Sequence, residues 1–94
     1  MTRAEILESA STITCQGREE EYGSPENNFG TIAQYWSTYT GALITAEDVA
    51  CMMALLKIAR IQSGKTKDDN YIDLAGYAAC AGEIASVCSR KEIG

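Results

Sequence analysis

The chain contains no histidine, one proline, one tryptophan and one phenylalanine. Without histidine it lacks the commonest general base and metal-ligating ring at neutral pH. Its four cysteines, at 15, 51, 80 and 88, form no C-x-x-C pair, so the spacing of a structural zinc site is missing. Cations are also few: Lys and Arg total 8 against 13 Asp and Glu, a formal net charge of −5. That balance argues against a nucleic-acid surface, which requires a basic footprint. No apolar run approaches the roughly 20 residues that cross a bilayer, and the charged, amphipathic start MTRAEILESA is not a signal peptide. The expected setting is the cytoplasm. The cysteines are expected to be free thiols there, with Cys51, Cys80 and Cys88 acting as small buried hydrophobes.

What is present is an ordinary globular composition, 46% hydrophobic and 22% charged over 94 residues. It predicts one domain spanning residues 1–94 with a modest core. The periodicity predicts an all-α fold of four helices, bundle-like and completed by oligomerisation. Thr2 and Glu5 form a T-x-x-E capping box, after which Ile6, Leu7, Ala10 and Ile13 give an apolar stripe and Gly17 a stop. Residues 18–24 are polar. Ser24 then caps a second helix, with Pro25 at its first position, inward residues Phe29, Ile32, Ala33 and Trp36, and an end at Thr40–Gly41. Thr45 caps a third helix with Glu47 and Asp48 in its first turn, running to about Ser63 before Gly64. Asp68 or Asp69 opens a fourth, which continues to about Ser89 ahead of a fraying tail. Its centre is rich in small residues, including Gly76 and Gly82, a composition that suits close helix packing.

Two cations stand out in this pattern. Residues 49–61 read VACMMALLKIARI, apolar nearly all round and expected to be buried by neighbouring helices, yet interrupted by Lys57 and Arg60. Three apart, they share a helix side with Met53. Buried cations require anions, supplied by the fold or by a phosphate-bearing ligand. The candidate fold partners are Asp69 and Asp73, four apart on the fourth helix, with Asn70 and Tyr77 on the same face as Asp73. Asp69 reads equally as a cap residue, whereas Asp73 lies a full turn inside its helix. The short connection at Gly64 makes the third and fourth helices antiparallel neighbours and brings Lys57 beside Asp73. A third group is Arg18, Tyr22, Asn28 and Phe29, in which turn chemistry accounts for Gly23, Ser24 and Pro25 while the aromatics could stack on a base. The GKTK stretch at 64–67 lacks the upstream glycine and strand of a phosphate-binding loop.

The pattern formed by Arg18, Tyr22, Gly23, Asn28, Phe29, Trp36, Lys57, Arg60, Asp69, Asn70, Asp73, Gly76 and Tyr77 resembles a family of small uncharacterised phage and prophage proteins. That family is similar to domains associated with phage nucleotide metabolism. A more distant resemblance is to the MazG-like all-α nucleotide pyrophosphohydrolases, which are oligomeric and magnesium-dependent, with E-x-x-E on one helix and E-x-x-D on the next. Asn70-x-x-Asp73 keeps only the final acid of the second motif, and Lys57-x-x-Arg60 puts cations where the first has acids.

These residues imply a binder of a phosphate-bearing nucleotide, without catalytic residues, metal or other cofactor, that forms a dimer or a dimer of dimers. Neither nucleic acid nor membrane is expected as a partner. Lys57, Arg60 and Arg18 would meet phosphate, and Tyr22, Phe29 or Trp36 would stack on the base. Asn70 or Asp73 would read polar edges or ribose. One use would be sequestering a nucleotide signal of host antiviral defence. The enzymatic alternative is a Mg²⁺-dependent nucleotide pyrophosphohydrolase with Asp69 and Asp73 as ligands, helped by Glu19, Glu20 or Glu21. A third reading is a small interaction module whose charge pairs are all structural.

Overall fold

Thr2 and Glu5 exchange two hydrogen bonds at the start of the first helix: the Thr2 N–H donates to Glu5 Oε1 at 2.8 Å, and the Glu5 N–H to Thr2 Oγ1 at 3.2 Å. This reciprocal box satisfies two N–H groups that a helix start would otherwise leave unpaired. The computed structural model describes residues 1–15, 25–64 and 67–93, with the side chains at 25–27 and 88–93 outside the description. Within it lie four helices, α1 (Arg3–Cys15), α2 (Pro25–Thr40), α3 (Ala46–Gln62) and α4 (Asp68–Ile93), and no strand among the described residues. The fold is all-α, and none of these helices is long and apolar enough to cross a membrane.

The boundaries follow local chemistry. Pro25 opens α2, where its fixed φ suits the first turn. Gly41, at φ 75°, leaves the helix in the left-handed conformation. A second capping box starts α3, between Thr45 and Asp48. Asp48 therefore does more than complement the helix dipole: its Oδ2 accepts the Thr45 N–H at 2.9 Å. Gly64, at φ 90°, turns the chain after Ser63. The fourth helix runs on to Ile93, past its expected end near Ser89. No proline or glycine interrupts residues 83–93, and Arg90 and Lys91 suit a helix C-terminus.

The core lies between α2, α3 and α4. Phe29, Ala33, Val49, Ala50 and Ile84 form its buried centre, flanked by Ile32, Trp36, Ile44, Met53, Tyr77, Cys80 and Ala81. Residues early in α3 thus meet residues late in α4, while Lys57 meets Asp73, so the two helices run antiparallel. The α2–α3 connection is clamped by Ser37, whose hydroxyl donates to the Ile44 carbonyl at 3.1 Å and accepts from the Ile44 N–H at 2.9 Å. The first helix lies along the early half of α4 in the same direction. The Met1 ammonium is 4.0 Å from Asp68, and Thr14 stands against Gly76. A Cβ on Gly76 would sit 2.9 Å from Thr14 Cγ2, so this glycine permits the close approach of α1. Gly82 meets nothing within 4 Å and has no such role.

Three expectations need correction. The stripe of α1 is narrower than its apolar residues suggest: Ala10 is buried and Ile6 half-buried, but Leu7 and Ile13 are exposed. The reason is the small contact face α1 offers to a glycine-containing stretch of α4. The third helix is not buried all round within one chain. Val49 and Ala50 are buried, whereas Met52, Leu55, Leu56 and Ile58 face outward. Cys51 belongs to that outward face and is an exposed free thiol, whereas Cys80 is half-buried.

Candidate functional site

Lys57 continues the inward row of α3 that begins with Ala46, Ala50 and Met53, and it ends the apolar part of that row. Its Nζ lies 3.0 Å from Asp73 Oδ2 across the α3–α4 hairpin. The lysine side chain is 14% exposed and the aspartate 34%, so the pair sits at the rim of the core with its aspartate partly open to solvent. An ammonium has three donors, and this contact occupies one of them.

On α4, Asn70, Asp73 and Tyr77 follow one another by helical turns on the face toward α3. Asn70 is buried and hydrogen-bonded. Tyr77 packs against Phe29, with ring centroids 6.2 Å apart and planes tilted by 44°. These two rings engage each other and the core; Phe29 is buried and Trp36 half-buried beside it. Asn28, next to Phe29, is exposed.

The structure therefore brings Lys57, Asn70, Asp73 and Tyr77 into one seam. Arg60 is exposed, and it makes no ion pair among the described residues. The two cations are about 60° apart around the helix, and the α4 carboxylate meets Lys57 alone. Asp69 is also exposed, at the start of α4, and does not share the Lys57 contact. Arg18 and Tyr22, with Glu19, Glu20 and Glu21, lie outside the described residues. So do Gly17, Gly23 and the Ser24 cap. No group of three or more His, Cys, Asp and Glu side chains is placed to hold a metal among the described residues.

Other surface features lie apart from this seam. An open groove between α1 and α4 is lined by Glu8, Ser9, Thr12, Ile13 and Ile72. It contains none of the candidate residues, and its charged group is a carboxylate, which repels phosphate. On α2, Tyr35 and Tyr39 stand exposed one turn apart, Tyr39 at 92%. They were not singled out from the sequence, although the signal was there: both fall outside the row of Phe29, Ala33 and Trp36.

Comparison with known families covers nearly all of this architecture. The domain of unknown function DUF6378 matches residues 5–85, which include most of α1, all of α2 and α3, and the seam. The chain belongs to the DUF6378 family. The "Gene 55 protein" of Mycobacterium phage D29 is similar to it, with 40% identity over 79 residues, which is 84% of this chain and 52% of the phage protein. The protein of the same name from Mycobacterium phage L5 is 43% identical over 74 residues, 78% of this chain and 47% of its own. The DUF6378 chain thus spans about half the length of these curated relatives. Their identity places it in a phage protein family. No solved structure matches it.

Proposed function

We propose that this DUF6378 domain binds a phosphate-bearing nucleotide, with Lys57 as the cation that meets the phosphate. The observation that carries the reading is the Lys57–Asp73 pair. Its lysine lies at the end of an otherwise apolar helix row, its ammonium has three donors of which the 3.0 Å contact uses one, and its aspartate is open at one edge. A pair of this kind is a weak source of net stability compared with apolar residues of similar volume, so a binding role gives a reason for its presence. Phosphate oxygens would share Lys57 with Asp73 through charge-assisted hydrogen bonds, and Arg18 would supply a second cation.

In this proposal Asn70 and Asp73 read polar edges or ribose, and Tyr22 or Trp36 stacks on the base. Phe29 and Tyr77 frame the seam from the core. Arg60, turned outward, is left out of the phosphate set. The biological use would be sequestering a nucleotide signal of host antiviral defence in the infected cytoplasm.

Calorimetric titration of the chain with nucleoside mono-, di- and triphosphates and cyclic dinucleotides, with and without EDTA, tests the reading. Binding should persist in the chelator, weaken with added salt and be lost in Lys57→Met with helicity retained. Normal binding by Lys57→Met would remove the proposal. Binding that requires Mg²⁺, or pyrophosphate release that Asp73→Asn stops, would replace it with the pyrophosphohydrolase reading.

A further inference from the structure

The two halves of the Lys57–Asp73 contact differ in their access to water. The lysine side chain is 14% exposed and the aspartate 34%. Lys57 extends the inward row of Ala46, Ala50 and Met53, which confines its ammonium to the seam. On α4, Asn70 is buried one turn before Asp73, and Tyr77 packs on Phe29 one turn after it. Asp73 sits between them at the edge of the seam. A carboxylate beside solvent can exchange an ion-pair contact for hydration with little loss. An ammonium held among apolar side chains still requires an anion. Asp73 is thus the replaceable partner of a confined cation.

We infer that Asp73 occupies the phosphate position until a ligand displaces it, and that this ligand ends in a phosphate monoester. The inference rests on the nucleotide reading above and names the kind of phosphate involved. Charge makes the selection. A phosphodiester bears one negative charge, as Asp73 does, so exchanging one for the other gains nothing at Lys57. A monoester carries about −1.5 to −2 at neutral pH and offers three acceptor oxygens to an ammonium with three donors. Sharing the ammonium weakens the carboxylate contact, and the more highly charged monoester completes the displacement. Once turned outward, Asp73 is placed to accept a ribose hydroxyl. A nucleotide with a free terminal phosphate meets the condition. A cyclic nucleotide, whose phosphates are all diesters, does not.

NMR titration with methyl phosphate and dimethyl phosphate at matched ionic strength tests it without a nucleotide. The side-chain amide of Asn70, one turn from Asp73, reports on the site. The wild-type chain should respond to methyl phosphate and not to dimethyl phosphate. Asp73→Asn should bind methyl phosphate about tenfold more tightly, a value between those of exposed and buried pairs, and should now accept dimethyl phosphate. Adding Lys57→Met should abolish both responses. A wild-type chain that responds to the two esters equally overturns the inference, as does a folded Asp73→Asn chain without gain in affinity. The wild-type comparison decides by itself if Asp73→Asn does not fold. A second titration sets a nucleoside monophosphate against its cyclic counterpart. Equal binding of the two keeps the nucleotide reading and overturns the exchange at Asp73. Binding of neither, with methyl phosphate still selected, keeps the exchange and removes the nucleotide reading.

Discussion

Lys57 and Asp73 stand 3.0 Å apart although sixteen positions separate them, because the turn at Gly64 folds α4 back along α3. The contact closes the polar end of a hairpin whose other end is filled by Val49, Ala50 and Ile84. It follows that the two side chains answer to each other energetically. Lys57→Met alone should destabilise the fold by about 1–3 kcal/mol, between the values for exposed and fully buried pairs. The double variant Lys57→Met, Asp73→Leu should recover most of that loss, since it leaves no unpaired charge behind. Denaturant unfolding of the two single variants and the double variant measures the coupling. Strict additivity would show that the pair does not act as a unit.

The two glycines of the small-residue helix should respond in opposite directions to the same change. Gly82→Ala meets open space and should stabilise the chain by about 1 kcal/mol through helix propensity. Gly76→Ala brings its methyl to 2.9 Å from Thr14 Cγ2. The Thr14 side chain is held by a 2.7 Å hydrogen bond from its hydroxyl to the Ala10 carbonyl, so the clash should outweigh the propensity gain and lower the melting temperature. Thr14→Ser removes the offending methyl and should restore the Gly76→Ala variant. Thermal melts of the three variants decide the matter.

Ser37→Ala should cost about 1–3 kcal/mol, more than an ordinary hydroxyl deletion, because it unpairs two backbone groups of a part-buried residue at once. Ser37→Thr, which keeps the hydroxyl, should cost less. Hydrogen exchange at the Ile44 amide reads the effect directly, and unchanged protection there in Ser37→Ala would contradict it.

The Glu5 carboxyl is held below its ordinary range, first by the hydrogen bond from the Thr2 backbone and then by that from the Thr2 hydroxyl. A carboxyl that is more acidic when folded stabilises the fold above its unfolded pKa, and this contribution disappears as pH falls through the lower, folded value. The start of α1 should therefore loosen at acid pH and hold at neutral pH. An NMR titration of Glu5 should show the depressed midpoint, and Thr2→Ala should raise it toward that of a free glutamate.

Much of this organisation could be read along the chain because it depends on neighbours in sequence. The capping boxes at Thr2–Glu5 and Thr45–Asp48 use residues three apart, Gly41 and Gly64 end helices by their own backbone freedom, and the apolar row of α2 follows from helical spacing. Even the Lys57–Asp73 contact was accessible, since a short connection between two long helices leaves little choice but an antiparallel hairpin. What depended on distant residues was decided by packing. Leu7 and Ile13 are as apolar as Ile6, yet the row of α1 that is covered is the one Gly76 allows to approach. Lys57 and Arg60 are matched in charge and close in position, but the carboxylate of a different helix reaches only the first. Ser37 resembles any other serine until the turn brings Ile44 back to it. The outward face of α3 has the composition of a core, and only the positions of α2 and α4 show that one chain leaves it uncovered. Helix ends are set by local hydrogen bonds, whereas burial of a given face is set by which other helix arrives there.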